Sequence, residues 1–193
     1  MNDKLTSIIN DQNLSWDESL ITSKNKFLVS LSSSTITTLL ENRSLLPSDN
    51  LEKFDFVKNE ILKFKEILHS GCGFFIIDGN NFQDFSKEEL QHVYSIISQF
   101  LGKLYVQNIK NEKFVLIQDE GKSMKTGGRY HQTKEGGSYH TDSPQWTDVP
   151  DFVGLLCINP AKKGGINKFL SAYSFHNEIN KEDPFLLDQL YSR

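Results

Sequence analysis

The residues with the clearest capacity for chemistry are His140 and Asp142, which close a Gly-rich stretch running from Gly127 to Asp142. In an extended segment, side chains two apart point to one face. An imidazole and a carboxylate would then aim at a common point while Thr141 turns away. One nitrogen and one oxygen ligand, with further coordination positions open, suit a divalent transition metal, ferrous iron in particular. A bare His-x-Asp is common, because either residue in a loop often caps or hydrogen-bonds its neighbours. Its surroundings decide what it means.

A chain of 193 residues, 37% hydrophobic and 24% charged, is expected to be globular with a real core. The net charge of −4, with no long Lys/Arg cluster, offers no footprint for a phosphate backbone, so no nucleic-acid partner is expected. No apolar run is long enough to span a bilayer, and the first residues, with Asp3, Asn10, Asp11 and Asn13, lack the apolar core of a signal peptide. The chain reads as cytoplasmic, without a membrane partner. Cys72 and Cys157 each sit in an apolar stretch and are expected as reduced core thiols.

The elements that must position the pair follow from periodicity. Residues 1–50 carry few strong signals, with a break at Leu46-Pro47-Ser48-Asp49-Asn50, and read as a peripheral arm. Phe54, Val57, Ile61, Phe64 and Leu68 repeat at helical spacing, and Gly71 and Gly73 stand where that helix should stop. Gly73 to Ile77 reads as a buried strand. Ser86 to Glu89 fits a capping box, with Leu90, Val93, Tyr94, Ile97, Phe100 and Leu101 as the apolar stripe behind it. Strands are expected at 104–107 and 114–118, joined by a polar turn at 108–112, and again at 152–158 and 167–171. Residues 172–180 read as a short helix, and Asp183-Pro184 as the start of another.

Three stretches carry a more specific signal: Gly136-Gly137-Ser138-Tyr139-His140-Thr141-Asp142-Ser143-Pro144, then Val149 to Cys157, then Pro160-Ala161-Lys162-Lys163-Gly164-Gly165. Together with Ser171 to Glu178, they resemble the taurine-dioxygenase-like and clavaminate-synthase-like iron(II)/2-oxoglutarate oxygenases. The resemblance runs from about Gly71 to Glu178. It implies an α+β fold whose core is a double-stranded β-helix, or jelly roll, with flanking helices. Residues 51–193 would form the N-terminal part of that domain.

The resemblance also implies roles. His140 and Asp142 would be two of three iron ligands, with 2-oxoglutarate as co-substrate and dioxygen as oxidant. Asn167, two residues beyond the Gly164-Gly165 turn, stands where the family often places a Thr or Ser on the co-substrate; an Asn amide can also donate to a carboxylate. Tyr130, Gln132, Thr133 and Glu135 lie on the approach to the iron motif, where substrate-contacting loops are expected, although a solvated hairpin explains each of them equally well. His69 and His92 fall on helices, and His131 precedes the segment presenting His140, so none of the three is expected to ligate.

The expected activity is hydroxylation or desaturation of a small, amino-acid-like molecule, releasing succinate and carbon dioxide. In the family the third ligand is a histidine far downstream, followed by an arginine that pairs with 2-oxoglutarate. After Asp142 this sequence has only His176, in a predicted helix, and Arg193 lacks the preceding histidine-bearing strand. The sequence therefore reads as the front part of a family member, with unpaired sheet edges through which it would self-associate. The alternative is a truncated or degenerate member acting as a non-catalytic binding or association module.

Overall fold

The computed structural model describes residues 6–45 and 51–191, with Tyr130 described at the backbone only. The expected break at residues 46–50 and Arg193 lie outside the described residues. The chain divides into two compact units, one holding residues up to Leu101 and from Phe169 onward, the other spanning Gly102–Lys168.

The first unit is helical. Strand β1, Leu28–Val29, precedes helix α1, Ser33–Glu41. Ser32 caps α1 by accepting from Thr35 N, and its own N–H and hydroxyl donate to Glu60 at 2.9 and 3.0 Å. Helix α2, Asp55–Ser70, carries that glutamate and buries Val57 and Ile61. It stops where the sequence predicts: Gly71 N and Gly73 N both donate to the Ile67 carbonyl oxygen, and a Cβ on Gly71 would meet that oxygen at 2.8 Å. Gly73 has φ +82°, a left-handed conformation that glycine adopts without strain.

Strand β2, Ile76–Ile77, follows and pairs in parallel with β1, Leu28 opposite Ile76. Ile76 is 43% exposed, so this strand is a short half-covered ribbon rather than the buried strand expected. Helix α3, Lys87–Leu101, begins with the predicted capping box: Ser86 N donates to Glu89 Oε2 at 2.8 Å, and Glu89 N to Ser86 Oγ at 3.2 Å. Leu39, Phe54, Val57, Ile61, Val93 and Ile96 meet in one core, each at most 2% exposed. Burying a side chain of this size contributes about 1.5–3 kcal/mol.

Within residues 6–45 several positions pack against the rest of the first unit. β1 supplies one of the two paired strands, and Leu31, Thr35 and Leu39 are buried. Helix α4, Ala172–Glu182, grips the segment before β1 through backbone bonds. Asn177 donates to and accepts from Ile9, both at 2.8 Å, Ser171 Oγ donates to Leu14 O, and Ser174 Oγ to Trp16 O. Asp183 then caps a 3-10 turn, Pro184–Leu186, that leads into helix α5, Leu187–Tyr191. Aromatic packing joins Phe74 to Trp16, Phe27 and Phe169, the last stacked with ring centroids 5.0 Å apart.

In the second unit the strands expected at 104–107, 114–118 and 152–158 form no ladder among the described residues, nor does residue stretch 167–171 that leaves it. A strand exists only against a neighbour's N–H and C=O groups, and these stretches are not paired in that way among the described residues. What forms is local. Gln107 N donates to Glu112 O across the predicted turn, and Asn108 Oδ1 accepts from Lys110 N and Glu112 N. Stretch 152–158 keeps the alternation of a strand, with Phe152, Leu156 and Ile158 half-buried and Val153, Leu155 and Cys157 exposed. Cys157 is therefore a surface thiol, not the core residue expected, while Cys72 is buried. The paired strands of a jelly roll are not seen among the described residues. Among them, no helix is long and apolar enough to cross a membrane.

Candidate metal site

His140 and Asp142 both lie in the second unit, in irregular backbone rather than on the strand expected. Their side chains nevertheless converge: His140 Nε2 stands 3.4 Å from Asp142 Oδ1, with the two side chains 60% and 50% exposed. His140 Nδ1 lies 2.7 Å from the Ser138 carbonyl oxygen. A carbonyl oxygen only accepts, so Nδ1 carries the hydrogen and Nε2, in the neutral ring, presents its lone pair toward the carboxylate.

That arrangement fits a metal ion in two respects. Ligand bonds to a first-row divalent cation are about 2 Å, so adjacent ligands on one ion stand roughly 3 Å apart, close to the separation seen. Metal-binding histidines also characteristically donate their second nitrogen to a backbone carbonyl, which fixes ring orientation and raises basicity. Beyond the pair, no cluster of three or more His, Cys, Asp or Glu side chains is present among the described residues.

The loops on either side are built by turn chemistry. After Asp142, Trp146 N donates to Ser143 O at 3.0 Å, closing a β-turn with Pro144 at its second position, where a fixed φ is favourable. Before the pair, Gly127 adopts φ +84° and Gly128 N returns to Ser123 O at 2.9 Å. A Cβ on Gly128 would meet Lys122 Cβ and Ser123 O, both at 2.9 Å, so only glycine fits there. The chain can then run beside itself, with Gln118 N bonded to His131 O and Glu120 N to Gln132 O.

The polar residues on this approach are engaged with one another. Gln132 Nε2 donates to Glu120 Oε2, and Lys122 Nζ reaches the same oxygen at 2.7 Å. The Lys122 hydrogen bond is the main reason the Glu120 carboxyl is held below its usual range. Thr133, 8% exposed, accepts from Glu135 N, and Glu135 Oε1 accepts from Met124 N. Asn167 is exposed, beyond the Gly164-Gly165 turn, where both glycines take positive φ. Tyr130 opens a 3-10 turn, Tyr130–Gln132. His176 is 5% exposed in α4 of the first unit, bonded through Nε2 to Ser7 O and through Nδ1 to the Tyr191 hydroxyl. His92 Nδ1 contacts Arg43 O, and His69 sits in the last turn of α2.

Comparison with known proteins agrees with this chemistry. Residues 41–193 match the family described as taurine catabolism dioxygenase TauD, TfdA, and the chain belongs to that family. Its members are iron(II)/2-oxoglutarate oxygenases with a jelly-roll fold. The chain is also similar to FR-33289 synthase of Streptomyces rubellomurinus (strain ATCC 31215), 31% identical over 128 residues. The match covers 66% of this chain and 36% of that protein, so the chain spans little more than a third of the relative's length. No solved structure matches it.

Proposed function

We propose that the chain carries part of the active centre of an iron(II)/2-oxoglutarate-dependent oxygenase that hydroxylates or desaturates a small, amino-acid-like molecule. His140 and Asp142 are two of its iron ligands, set at the mouth of a jelly roll. The observation that carries this reading is the 3.4 Å approach of His140 Nε2 to Asp142 Oδ1, with Nδ1 held by the Ser138 carbonyl.

Iron(II) with 2-oxoglutarate supplies the oxidising power, coupling decarboxylation of the co-substrate to oxidation of a substrate C–H bond. The chain's own residues hold and orient. Ser138 fixes the imidazole tautomer, so that His140 offers a neutral nitrogen. Asp142 supplies one negative charge toward a divalent cation. The exposure of both side chains leaves their outer faces open to a co-substrate. Asn167 donates to a carboxylate oxygen of 2-oxoglutarate, and Tyr130, Gln132, Thr133 and Glu135 shape the approach for the substrate.

Equilibrium dialysis of ferrous iron under argon tests the metal assignment, with Asp142→Ala and His140→Ala as variants. Each should weaken retention by at least about tenfold, the low end for losing a metal-site residue. Succinate released from 2-oxoglutarate in air, across a panel of amino acids, tests the activity, and Asp142→Ala should abolish it. Equal iron retention by all three proteins would overturn the assignment.

A further inference from the structure

Two non-glycine residues hold a positive φ among the described residues, Asn111 at +60° and Ser143 at +50°. Asn111 lies in the polar turn at 108–112, and asparagine is one of the few side-chain-bearing residues that visit the left-handed region readily. Serine lacks that allowance. Ser143 also precedes Pro144, and a proline ring steers the residue before it to extended backbone of negative φ. Its conformation runs against both preferences, and a backbone of this kind persists where the surroundings over-determine it.

Those surroundings lie downstream. Trp146 N donates to Ser143 O at 3.0 Å, with the fixed φ of Pro144 inside the turn between them. Trp146 is half-buried and stands against Tyr105, ring centroids 6.1 Å apart, and the Tyr105 hydroxyl donates to Asp148 Oδ2 at 2.7 Å. One tyrosine thus braces this stretch at Trp146 and again at Asp148. Upstream stands Asp142, its side chain 50% exposed and 3.4 Å from His140 Nε2. Ser143, half-buried, is the single residue that joins the metal pair to the braced turn.

The joint has a simple geometry. His140 and Asp142 both precede the N–Cα bond of Ser143, so rotation about that bond leaves their mutual approach intact and swings the pair as a body relative to Trp146. Between the observed +50° and the extended value of about −120°, the swing is roughly 170°. The lever is short. A hydrogen-bonded turn from Ser143 to Trp146 keeps its end Cα atoms within about 7 Å, and Asp142 is one step of about 3.8 Å before it. The Cα atoms of Asp142 and Trp146 are then at most about 11 Å apart, so the angle at Ser143 governs how the indole stands to the pair.

We propose that Ser143 is a positioning residue of the active centre. Its left-handed backbone fixes the angle between the metal pair and the indole of Trp146, which forms an aromatic wall beside the metal. Catalytic groups must hold their mutual angles within about 10–20°, and a strained joint braced from one side does this without a side chain touching the metal. The Ser143 hydroxyl has no part in it. The proposal rests on the reading of His140 and Asp142 as iron ligands.

Cobalt(II) stands in for iron(II) in the test, because it quenches indole emission with a steep dependence on distance. The Trp146 signal is the difference between each protein and the same protein carrying Trp146→Phe, which retains Trp16. Ser143→Gly takes a positive φ freely and lacks the hydroxyl, whereas Ser143→Thr and Ser143→Val are β-branched and take it only under strain, Thr keeping the hydroxyl. Ser143→Gly should match the wild type in cobalt affinity and in quenching of Trp146. Ser143→Thr and Ser143→Val should bind cobalt as the wild type does, yet lose quenching of Trp146. In the metal-free proteins, the one-bond Cα–Hα coupling of residue 143 should report a positive φ in the wild type and a negative one in the Thr and Val variants. Equal quenching in all four proteins would overturn the proposal. Wild-type quenching in Ser143→Thr with lost quenching in Ser143→Gly would do the same, by giving the role to the hydroxyl. Failure of the metal reading has its own signature, cobalt bound by Asp142→Ala as tightly as by the wild type, and both would then fall.

Discussion

The imidazole of His140 is pinned to the carbonyl oxygen of Ser138 two residues earlier, at 2.7 Å. This bond is local, so it orients the ring before any metal arrives. The expected outcome is that metal-free protein holds His140 in the tautomer with hydrogen on Nδ1. Long-range nitrogen–proton NMR correlations on the histidine ring read this directly, and a dominant Nε2–H tautomer would contradict it.

Tyr105 gives a second expectation, this one in pH. Its hydroxyl donates to Asp148, and that hydrogen bond, with lesser contributions from desolvation and the charges of Asp148 and Asp151, raises the phenol above its ordinary range. A raised folded-state value means the bond helps at pH below about 10 and is lost as pH climbs through the shifted value. Ultraviolet titration of phenolate formation should therefore show Tyr105 ionising late alongside Tyr94, whose phenol burial pushes up, and Tyr105→Phe should remove one of the two late phases. Asp148→Asn should return Tyr105 toward the normal range.

Asn177 supports a third. Its side chain both donates to and accepts from the backbone of Ile9, and the residue is buried. Asn177→Ala leaves both backbone groups without that partner and should cost about 1–3 kcal/mol in urea denaturation. Limited proteolysis should show new cleavage within residues 6–16. Unchanged stability and unchanged cleavage would mean that α4 does not hold this segment.

What could be read from the sequence was whatever is encoded locally. The Ser86–Glu89 box, the stop at Gly71 and the Asp183-Pro184 start all depend on residues within a few positions, and all three are present. Helix α1 was missed because Ser33 to Thr38 is rich in Ser and Thr, which are poor helix interiors. Its support comes instead from Glu60, on another element. β1 was missed for the same reason, since two residues form a strand only once β2 lies beside them.

The site divides in the same way. The spacing of His140 and Asp142 announced a shared target, and their side chains do meet, although on irregular backbone. Ser138 acts through its carbonyl, which any residue possesses, so no sequence signal marks it. Arg129 and Trp146 sit 17 positions apart and line one surface depression, which no local spacing announces.

The grip of α4 on the N-terminal segment also bears on the order of events during synthesis. Ile9 and Asn177 are 168 positions apart, so Ile9 is made long before its partner exists. At about 5–20 residues per second, that interval is roughly 10–30 s, ample time for α1, α2 and α3 to collapse before the α4 partners of Ile9 and Leu14 are made. The segment from Ile9 to Trp16 is thus secured only after α4 has been made, and loss of the α4 contacts should be felt as reduced yield of the newly made protein.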